Sequence, residues 1–261
     1  MLPDDVKEKI KNQSESIPII TLHEKERNKS FKFYTPNTMA IWRAETLYTK
    51  EPVTINWIKK FTKGKIFYDV GANVGMYSIF SSIYSEVKVY AFEPECNNYQ
   101  ILNQNIHINK LSKKITAYPF GISDNLSVTK LYLPNWTKAG SHNTVGDKLN
   151  HNLKEFNPVF EQGTLAVTLD DLINRFSLPV PNYLKIDVDG IEYKIIKASE
   201  KLFKKKELES VLIEINPARK EDGEIIEILE NNGFKYDKKQ VESATRKQGP
   251  HKGYAEYLFF R

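Results

Sequence analysis

The segment that decides the fold is residues 65–76, KIFYDVGANVGM. An apolar run typical of a β-strand ends at Asp69, a turn with Gly71 follows, and a helical pattern of apolar residues begins at Val74. A strand, a glycine turn and a helix in this order build a nucleotide-cofactor site at the carboxyl edge of a parallel sheet. An ordinary turn without a ligand has the same local pattern, so the neighbouring residues must decide between the two.

The spacing of the glycines argues against a dinucleotide. A pyrophosphate site has the pattern G-x-G-x-x-G, whereas Gly71 and Gly75 are separated by three residues and Asp69 precedes them. A carboxylate there would repel a phosphate and would suit an ammonium or sulfonium group, both of which S-adenosylmethionine carries. The turn therefore predicts an S-adenosylmethionine site. Its candidate cofactor-binding residues are Asp69, Gly71, Ala72, Asn73 and Gly75.

A second acidic position lies at the distance that a ribose-binding residue needs. Residues 87–92, VKVYAF, form the next predicted strand, and Glu93 and Pro94 follow it. Glu93 comes 22 residues after Gly71, and an acidic residue about 20 residues past the first glycine binds a ribose diol in nucleotide-binding folds. Glu93 and Pro94 are therefore candidate cofactor-binding residues, the alternative being a surface glutamate at the end of a strand.

The sequence resembles the FkbM family of S-adenosylmethionine-dependent methyltransferases. The resemblance rests on three motifs, DVGANVG at 69–75, FEP at 92–94 and LKIDVDGIE at 184–192, and it spans roughly residues 65–216. It implies an α/β fold of the Rossmann-like class I methyltransferase type: a mostly parallel seven-stranded sheet with helices on both faces and an antiparallel pair at one edge. Residues 61–261 are then the methyltransferase domain, and residues 1–60 an N-terminal extension packing on its core.

Composition indicates a soluble globular protein. The chain has 261 residues, 40% of them hydrophobic and 27% charged. No apolar run approaches the ~18 residues of a membrane helix, so no membrane span is expected, and the acidic start lacks the apolar core of a signal peptide. One cysteine, Cys96, fits a reducing compartment, and a cytoplasmic location is expected. The sequence gives no indication of the oligomeric state.

The charge pattern favours a small acceptor over nucleic acid. The net charge is +5, and the lysines form small clusters without the aromatic-interleaved basic stripe of a nucleic-acid surface. A mild positive charge suits an anionic small molecule such as a nucleotide-linked or phosphorylated sugar.

Two further segments are predicted to contact ligands. Ser123 and Asp124 follow the third predicted strand, where they could accept from the adenine amino group, or simply form a polar turn. Residues 135–160, which include His142 and His151, lack clear periodicity and are expected to form a substrate loop.

Polar residues also occur in the N-terminal extension, which in this class of enzyme often lies over the cofactor. Tyr34, Arg43 and Glu45 stand among apolar neighbours there. Surface or capping roles are expected for all three.

Methyl transfer is an in-line displacement that needs a precisely positioned acceptor, and a hydroxyl acceptor also needs a base. His142 has a suitable pKa range, and Asp187 is predicted at the tip of the fourth strand. Lys185 shares a strand face with Asp187, where it could orient the carboxylate, stabilise an alkoxide or form a structural ion pair. Glu192 is expected to clamp the junction between strand and helix. The candidate catalytic residues are His142, Lys185 and Asp187.

A metal-assisted version is also conceivable but is not favoured. Asp187, Glu214 and Asn216 offer oxygen ligands of the kind that Mg²⁺ prefers, although the resemblance does not require a divalent metal.

The leading hypothesis is O-methylation of a small polar acceptor, for which the resemblance suggests a sugar of a surface polysaccharide or a natural product. An RNA methyltransferase is one alternative. Base-amino methylation commonly uses an Asp/Asn-Pro-Pro-aromatic turn after the fourth strand, where this chain has DVDG at 187–190. A nicotinamide-dependent sugar oxidoreductase is another, which the glycine spacing opposes.

Overall fold

The computed structural model describes residues 2–15, 18–149, 154–249 and 251–261. His151 and its immediate neighbours in the predicted substrate loop lie outside these ranges. The first elements are α1 (Asp4–Glu15), β1 (Ile19–Glu24), β2 (Lys29–Tyr34), α2 (Thr38–Glu45) and α3 (Pro52–Ile58). β1 and β2 pair as an antiparallel hairpin, as the alternation of apolar and polar residues in both segments predicts.

The remaining elements follow in chain order. The middle of the chain forms β3 (Ile66–Val70), α4 (Met76–Tyr84), β4 (Lys88–Phe92), α5 (Cys96–Ile108), β5 (Ile115–Tyr118), β6 (Gly121–Ile122), β7 (Ser127–Leu133), β8 (Thr144–Val145) and β9 (Phe160–Val167). The last part forms α6 (Leu169–Asn174), β10 (Tyr183–Ile186), α7 (Glu192–Lys197), α8 (Glu200–Phe203), β11 (Ser210–Ile215), α9 (Lys220–Asn231), β12 (Lys235–Tyr236), α10 (Lys238–Ala244) and β13 (Ala255–Phe260).

A seven-stranded sheet forms the centre of the molecule, in the order β12-β13-β11-β10-β3-β4-β5. The strands from β11 to β5 are parallel neighbours, whereas β13 runs antiparallel to both β11 and β12. This arrangement confirms the predicted fold class, including the antiparallel pair at one edge. The parallel order places the ends of β3, β4, β10 and β11 at one edge of the sheet, where ligands bind in such folds.

A second, four-stranded sheet differs from the expectation. The alternation of apolar and polar residues over 126–133 predicts an edge hairpin strand, but β7 pairs along its length with β9 in a separate sheet of order β6-β9-β7-β8. The polar composition of residues 240–253 likewise predicts a loop, but the first residues of this segment belong to helix α10. Pairing between β7 and β9 joins segments far apart in the chain, so local periodicity could not reveal it.

Alternating side chains of the central strands enter two hydrophobic clusters, one on each face of the sheet. Tyr68 and Leu184 belong to one cluster, and Phe67 and Tyr183 to the other. The second cluster also contains residues of β2, α2 and α3, with Trp57 donating from Nε1 to Ser210 Oγ at 2.8 Å. Asp69 and Lys185 therefore point to the face that the N-terminal elements cover, because side chains alternate along a strand.

Helix α5 begins in a position fixed by a buried carboxylate. The Glu95 side chain is 2% exposed and accepts hydrogen bonds from the amides of Asn97 and Asn98 at 3.0 and 2.7 Å. This capping satisfies amides that have no partner within the helix. It fixes the short link between Glu93, at the tip of β4, and the helix.

No helix within the described ranges is long and apolar enough to cross a membrane.

Candidate active site

The glycine turn after β3 has a conformation that a side chain at Gly71 would not permit. Gly71 has φ +78°, and a β-carbon there would lie 1.9 Å from the carbonyl oxygen of Asp187. Gly75 has φ +83° at the start of α4, and its β-carbon would lie 2.4 Å from Leu102 Cδ1. The first glycine thus permits contact between the turn and the end of β10, and the second permits close packing against α5.

The amides of this turn are already engaged. Gly71 and Ala72 both donate to the Phe92 carbonyl at 3.0 Å, and Asn73 donates to Glu93 Oε2 at 2.8 Å. A pyrophosphate site needs such amides free to face the phosphates. The turn therefore fits a cofactor without phosphate and does not fit a dinucleotide.

Glu93 lies at the tip of β4 with 5% of its surface exposed. Its other oxygen, Oε1, accepts from the amide of Glu95 at 2.9 Å. Burial raises the pKa of Glu93 to about 7, although the hydrogen bonds from the Glu95 and Asn73 amides act to lower it. The side chain lines the main cavity, so a ribose can reach a carboxyl group that is held on both oxygens.

A cavity of about 550 Å³ opens at the carboxyl edge of the sheet. On its wall are residues of the glycine turn and of the strand tips next to it, namely Gly71, Asn73, Phe92, Glu93, Pro94, Gly121 and Ile122. The wall also carries charged and ionisable residues from distant segments, namely Arg43, Lys50, Glu51, His142, Lys185, Asp187, Asp189, Glu214, Arg246, His251 and Glu256. The two groups share one space, which suits a nucleoside cofactor beside a polar acceptor.

Lys185 and Asp187 form an ion pair on the cavity wall. Lys185 Nζ lies 2.6 Å from Asp187 Oδ2 and 3.9 Å from Glu51 Oε2, and its side chain is 3% exposed. Burial alone would raise the pKa of Asp187, but the charge of Lys185 holds it well below its usual range. Burial likewise acts to lower the pKa of Lys185, yet its carboxylate neighbours raise it above its usual value. Both groups are therefore charged at neutral pH.

His142 is held against Asp189 in the segment between β7 and β8. The His142 amide donates to Asp189 Oδ2 at 2.7 Å, and its ring Nδ1 lies 3.2 Å from Asp189 Oδ1. The hydrogen bond to Asp189 raises the pKa of His142, against the opposing effect of burial. The His142 ring also stacks on His251 with centroids 5.6 Å apart. The Asp189 carboxylate beside Nδ1 and the stacked ring of His251 thus limit the orientation of the imidazole.

The segment before His142 is tied down by side chains from three elements. Arg43 Nε donates to the Ala139 carbonyl at 2.7 Å. The side-chain amides of Asn73 and Asn98 donate to the Gly140 carbonyl at 2.6 and 3.2 Å. This part of the predicted substrate loop is thereby joined to the glycine turn, to α5 and to the N-terminal extension.

Two glutamates face each other across β11 and β13 on the cavity wall. Glu214 pairs directly with Glu256 in the strand register. Glu214 Oε1 lies 2.6 Å from Arg246 Nη2, and Thr54 Oγ1 donates to Glu256 Oε1 at 2.5 Å. Burial raises the pKa of Glu214 to about 7 and that of Glu256 to about 8. This region therefore offers carboxyl groups that can both donate and accept hydrogen bonds near neutral pH.

The residues of the metal hypothesis are bound to protein partners. Asp187 pairs with Lys185 and Glu214 with Arg246, and Asn216 Oδ1 accepts from the Ala218 amide at 3.2 Å. Among the described residues, no group of three or more His, Cys, Asp or Glu side chains is arranged to hold a metal ion.

Several predicted cofactor residues lie away from the main cavity wall. Asp69 is 1% exposed and accepts from Ser78 Oγ at 2.6 Å, and burial raises its pKa. Asp124 is exposed and accepts from Ser123 Oγ at 3.2 Å, whereas the preceding Gly121 and Ile122 line the cavity. Adenine contact through Ser123 and Asp124 stays a prediction. Ala72 lines a small side recess instead.

Glu192 closes the junction between β10 and α7. Its side chain is 8% exposed and accepts from the amides of Gly190 and Val188 at 2.9 and 3.4 Å. Burial raises its pKa to about 8. The contacts agree with the clamp role expected from the sequence.

Arg43 and Glu51 belong to the cavity wall, although no pattern in the sequence places them there. A surface or capping role was expected for Arg43, and this was wrong, because α2 packs over the cavity edge. Glu51 is the residue before α3 and is 5% exposed. The sequence signal for Arg43 was a polar residue inside an apolar helical segment. This pattern does not indicate which part of the molecule the helix covers.

A mostly parallel sheet with an antiparallel pair at one edge, a glycine turn after β3 and an acidic residue at the tip of β4 are the features of the class I methyltransferase fold. Residues 69–236 match the family described as the methyltransferase FkbM domain. This match covers more than half of the chain, and the chain belongs to that family. The chain thus carries a methyltransferase domain of the family that the three motifs indicated, and the oxidoreductase alternative is set aside.

Two characterised relatives show moderate similarity. The hexuronic acid methyltransferase AglP of Haloferax volcanii is 22% identical over 166 residues, which cover 64% of this chain and 63% of that protein. The 31-O-demethyl-FK506 methyltransferase FkbM of Streptomyces tacrolimicus is 24% identical over 192 residues, which cover 66% of this chain and 73% of that protein. The chain thus spans just under two thirds of the length of AglP.

Among solved structures, the methyltransferase domain of METTL16 has a TM-score of 0.50 at 13% identity, with 92% of this chain and 85% of that chain covered. At this identity the likeness concerns the fold alone.

Proposed function

We propose that this protein transfers a methyl group from S-adenosylmethionine to a hydroxyl of a small polar acceptor, in particular a sugar. The observation that carries the proposal is the shared cavity, whose wall joins the glycine turn and Glu93 to the His142–Asp189 and Lys185–Asp187 pairs. The first group suits a nucleoside with a ribose diol, and the second suits proton removal from a hydroxyl.

The turn and Glu93 would hold the cofactor, which supplies an electrophilic methyl group when bound. Gly71 and Asn73 line the cavity beside Glu93, whose carboxylate can accept from both ribose hydroxyls. Pro94 lines the same part of the wall. The turn amides face Phe92 and Glu93, so this surface has no requirement for phosphate.

His142 is the proposed general base. With Nδ1 3.2 Å from Asp189 Oδ1, the neutral imidazole would carry its proton on Nδ1 and its lone pair on Nε2. Nε2 would take the proton of the acceptor hydroxyl, which would make its oxygen nucleophilic towards the methyl group that the cofactor supplies, with S-adenosylhomocysteine as the leaving group. Asp189 would stabilise the imidazolium that forms.

Asp187 is the proposed positioning group for the acceptor. Its carboxylate is kept ionised by Lys185, so it can accept a hydrogen bond from a hydroxyl next to the reacting one. The buried ammonium of Lys185 would at the same time favour the negative charge that develops on the attacking oxygen.

The polarity of the cavity supports a hydroxylated acceptor. Arg43, Arg246, Glu214 and Glu256 line it together with Gln248, and buried polar groups of this kind need polar partners. The name of one relative concerns hexuronic acid, and that of the other a 31-O-demethyl compound. Both names agree with the proposal of an oxygen acceptor on a sugar or a natural product.

Calorimetry with S-adenosylhomocysteine tests the cofactor part of the site. Micromolar binding is expected for the wild type, with clear weakening in Glu93→Ala and no binding of NAD to either protein. Tight binding of NAD would contradict the assignment.

Labelled methyl transfer tests the acceptor. A panel of neutral and acidic sugar nucleotides, free glycans and total RNA would be incubated with methyl-labelled S-adenosylmethionine and the enzyme. Incorporation into a sugar that is lost in His142→Gln supports the proposal, whereas incorporation into RNA alone would favour the RNA methyltransferase.

A further inference from the structure

A small recess opens beside the glycine turn, between α2 and the end of β10. It measures about 40 Å³ and shares part of its wall with the main cavity, namely Arg43, Lys50, Gly71, Asn73, Lys185 and Asp187. The recess is thus a side pocket of the cofactor space. Its size admits a group as small as a carboxylate but excludes a sugar ring.

The recess is lined by more cations than carboxylates, whereas the wall of the main cavity carries many carboxylates. The cations Arg43, Lys50 and Lys185 border it, with Asp187 as the carboxylate among its lining residues. Lys185 is paired with Asp187, and Lys50 Nζ lies 2.5 Å from Glu51 Oε1. Protein carboxylates therefore neutralise the charges of the two lysines. Arg43 is the remaining cation of the recess, and its charge needs a partner.

Arg43 is held by one hydrogen bond at the base of its guanidinium. Nε donates to the Ala139 carbonyl at 2.7 Å, while Nη1 and Nη2 make no hydrogen bond within the described part of the chain. Burial lowers the pKa of Arg43, and the charges of Asp187 and Glu51 only partly oppose this effect. A partly buried guanidinium with free terminal donors is a costly arrangement unless an anion completes it.

We propose that Arg43 binds the α-carboxylate of the methionine portion of S-adenosylmethionine in this recess. Gly71 and Asn73 line both the recess and the main cavity, where Glu93 lies, so a cofactor whose ribose meets Glu93 can extend its methionine chain past the turn towards Arg43. The planar fork of a guanidinium matches the two oxygens of a carboxylate. The bond from Nε to Ala139 fixes the direction of the fork.

The assignment rests on the cofactor and not on the acceptor of the proposed function. It also links cofactor binding to the His142 segment, because the same guanidinium holds the Ala139 carbonyl. If no acceptor in the panel is methylated, the assignment of Arg43 to the cofactor carboxylate is unaffected. Cofactor binding measured without any acceptor can test this assignment.

The experiment compares two ligands that differ only in the carboxylate, S-adenosylmethionine and its decarboxylated form. Calorimetry would be run on the wild type, on Arg43→Gln and on Arg175→Gln, an exposed arginine outside the cavity wall. The wild type and Arg175→Gln should prefer the complete cofactor by about 30-fold, because a charged hydrogen-bonded pair is lost with the decarboxylated form. Arg43→Gln should lose about 30-fold for the complete cofactor and stay unchanged for the decarboxylated form.

Three results would overturn the proposal. Equal weakening of both ligands in Arg43→Gln would mean that the arginine acts only through the Ala139 carbonyl. An unchanged preference for the complete cofactor would place its carboxylate elsewhere. Unchanged cofactor affinity together with a raised KM for acidic but not neutral sugars would assign the guanidinium to a carboxylate of the acceptor. Arg43→Lys, which keeps the charge but loses the fork, should show an intermediate preference.

Discussion

A β-carbon on Gly71 would lie 1.9 Å from the carbonyl oxygen of Asp187, where β3 and β10 end side by side. The Asp187 amide in turn donates to the Val70 carbonyl at 3.0 Å. The turn that is expected to receive the cofactor and the residue expected to position the acceptor therefore touch through their backbones. A change at one of them should disturb the other.

Gly71→Ala should abolish cofactor binding and lower the free energy of unfolding by about 3 kcal/mol, from positive φ and a backbone clash together. Gly64→Ala is the matched control, since Gly64 also has a positive φ, +81°, but a β-carbon there would have no atom within 4 Å. Gly64→Ala should lower the free energy of unfolding by about 1 kcal/mol through the positive φ alone, and it should keep the cofactor affinity of the wild type. Denaturant unfolding and calorimetry measure both quantities, and equal costs for the two variants would contradict the close approach.

Cofactor affinity should rise with pH through the pKa of Glu93, which burial raises to about 7. A ribose diol donates to the ionised carboxylate, so protonation below that pKa removes the binding-competent form. Affinity at pH 6 should be about ten-fold weaker than at pH 8.5. Calorimetric titration with S-adenosylhomocysteine across this range tests the dependence, and Glu93→Gln should bind weakly with a flat profile. If the affinity of Glu93→Gln changed with pH as steeply as that of the wild type, the pH dependence would belong to another titrating group.

Lys185→Met should destabilise the fold by about 3 kcal/mol, because it leaves Asp187 without its buried counter-charge and leaves Glu51 with Lys50 as its remaining cation. Adding Asp187→Asn should restore part of the loss, since the uncompensated carboxylate is then gone. Unfolding of the two single variants and of the double variant gives the coupling energy. Strictly additive losses would show that the 2.6 Å contact contributes nothing.

The rate of methyl transfer should rise with pH through the pKa of His142, because a general base acts in its neutral form. The hydrogen bond to Asp189 raises that pKa. Asp189→Asn should therefore move the rise to lower pH and also lower the plateau, since the imidazolium loses its counter-charge. Profiles of kcat against pH for the wild type and Asp189→Asn test this. A rise that stays at the same pH would exclude His142 as the base.

Much of the central fold is predictable because its signals are local. The strand before Asp69, the turn at Gly71 and the acidic residue at Glu93 lie within a short stretch of chain, and the parallel strands follow in a known order. The face shared by Lys185 and Asp187 also follows from simple strand alternation, and the two side chains do meet.

The remaining parts depend on contacts between distant segments. The β7–β9 pairing joins residues on either side of a long irregular segment, and no local pattern fixes that register. Arg43 and Arg246 line the cavity because of where α2 and the segment after α10 pack. Their immediate sequence neighbours resemble those of ordinary surface arginines, so only tertiary structure distinguishes them.

The engaged amides of the glycine turn have a consequence for the timing of binding. Gly71, Ala72 and Asn73 donate to Phe92 and Glu93 within the protein itself, so their hydrogens should exchange slowly with solvent even before a ligand arrives. The turn is ordered in advance, and little conformational entropy is lost there on association. Cofactor exchange between successive turnovers should then be governed by the segments over the cavity, while the turn keeps one shape throughout.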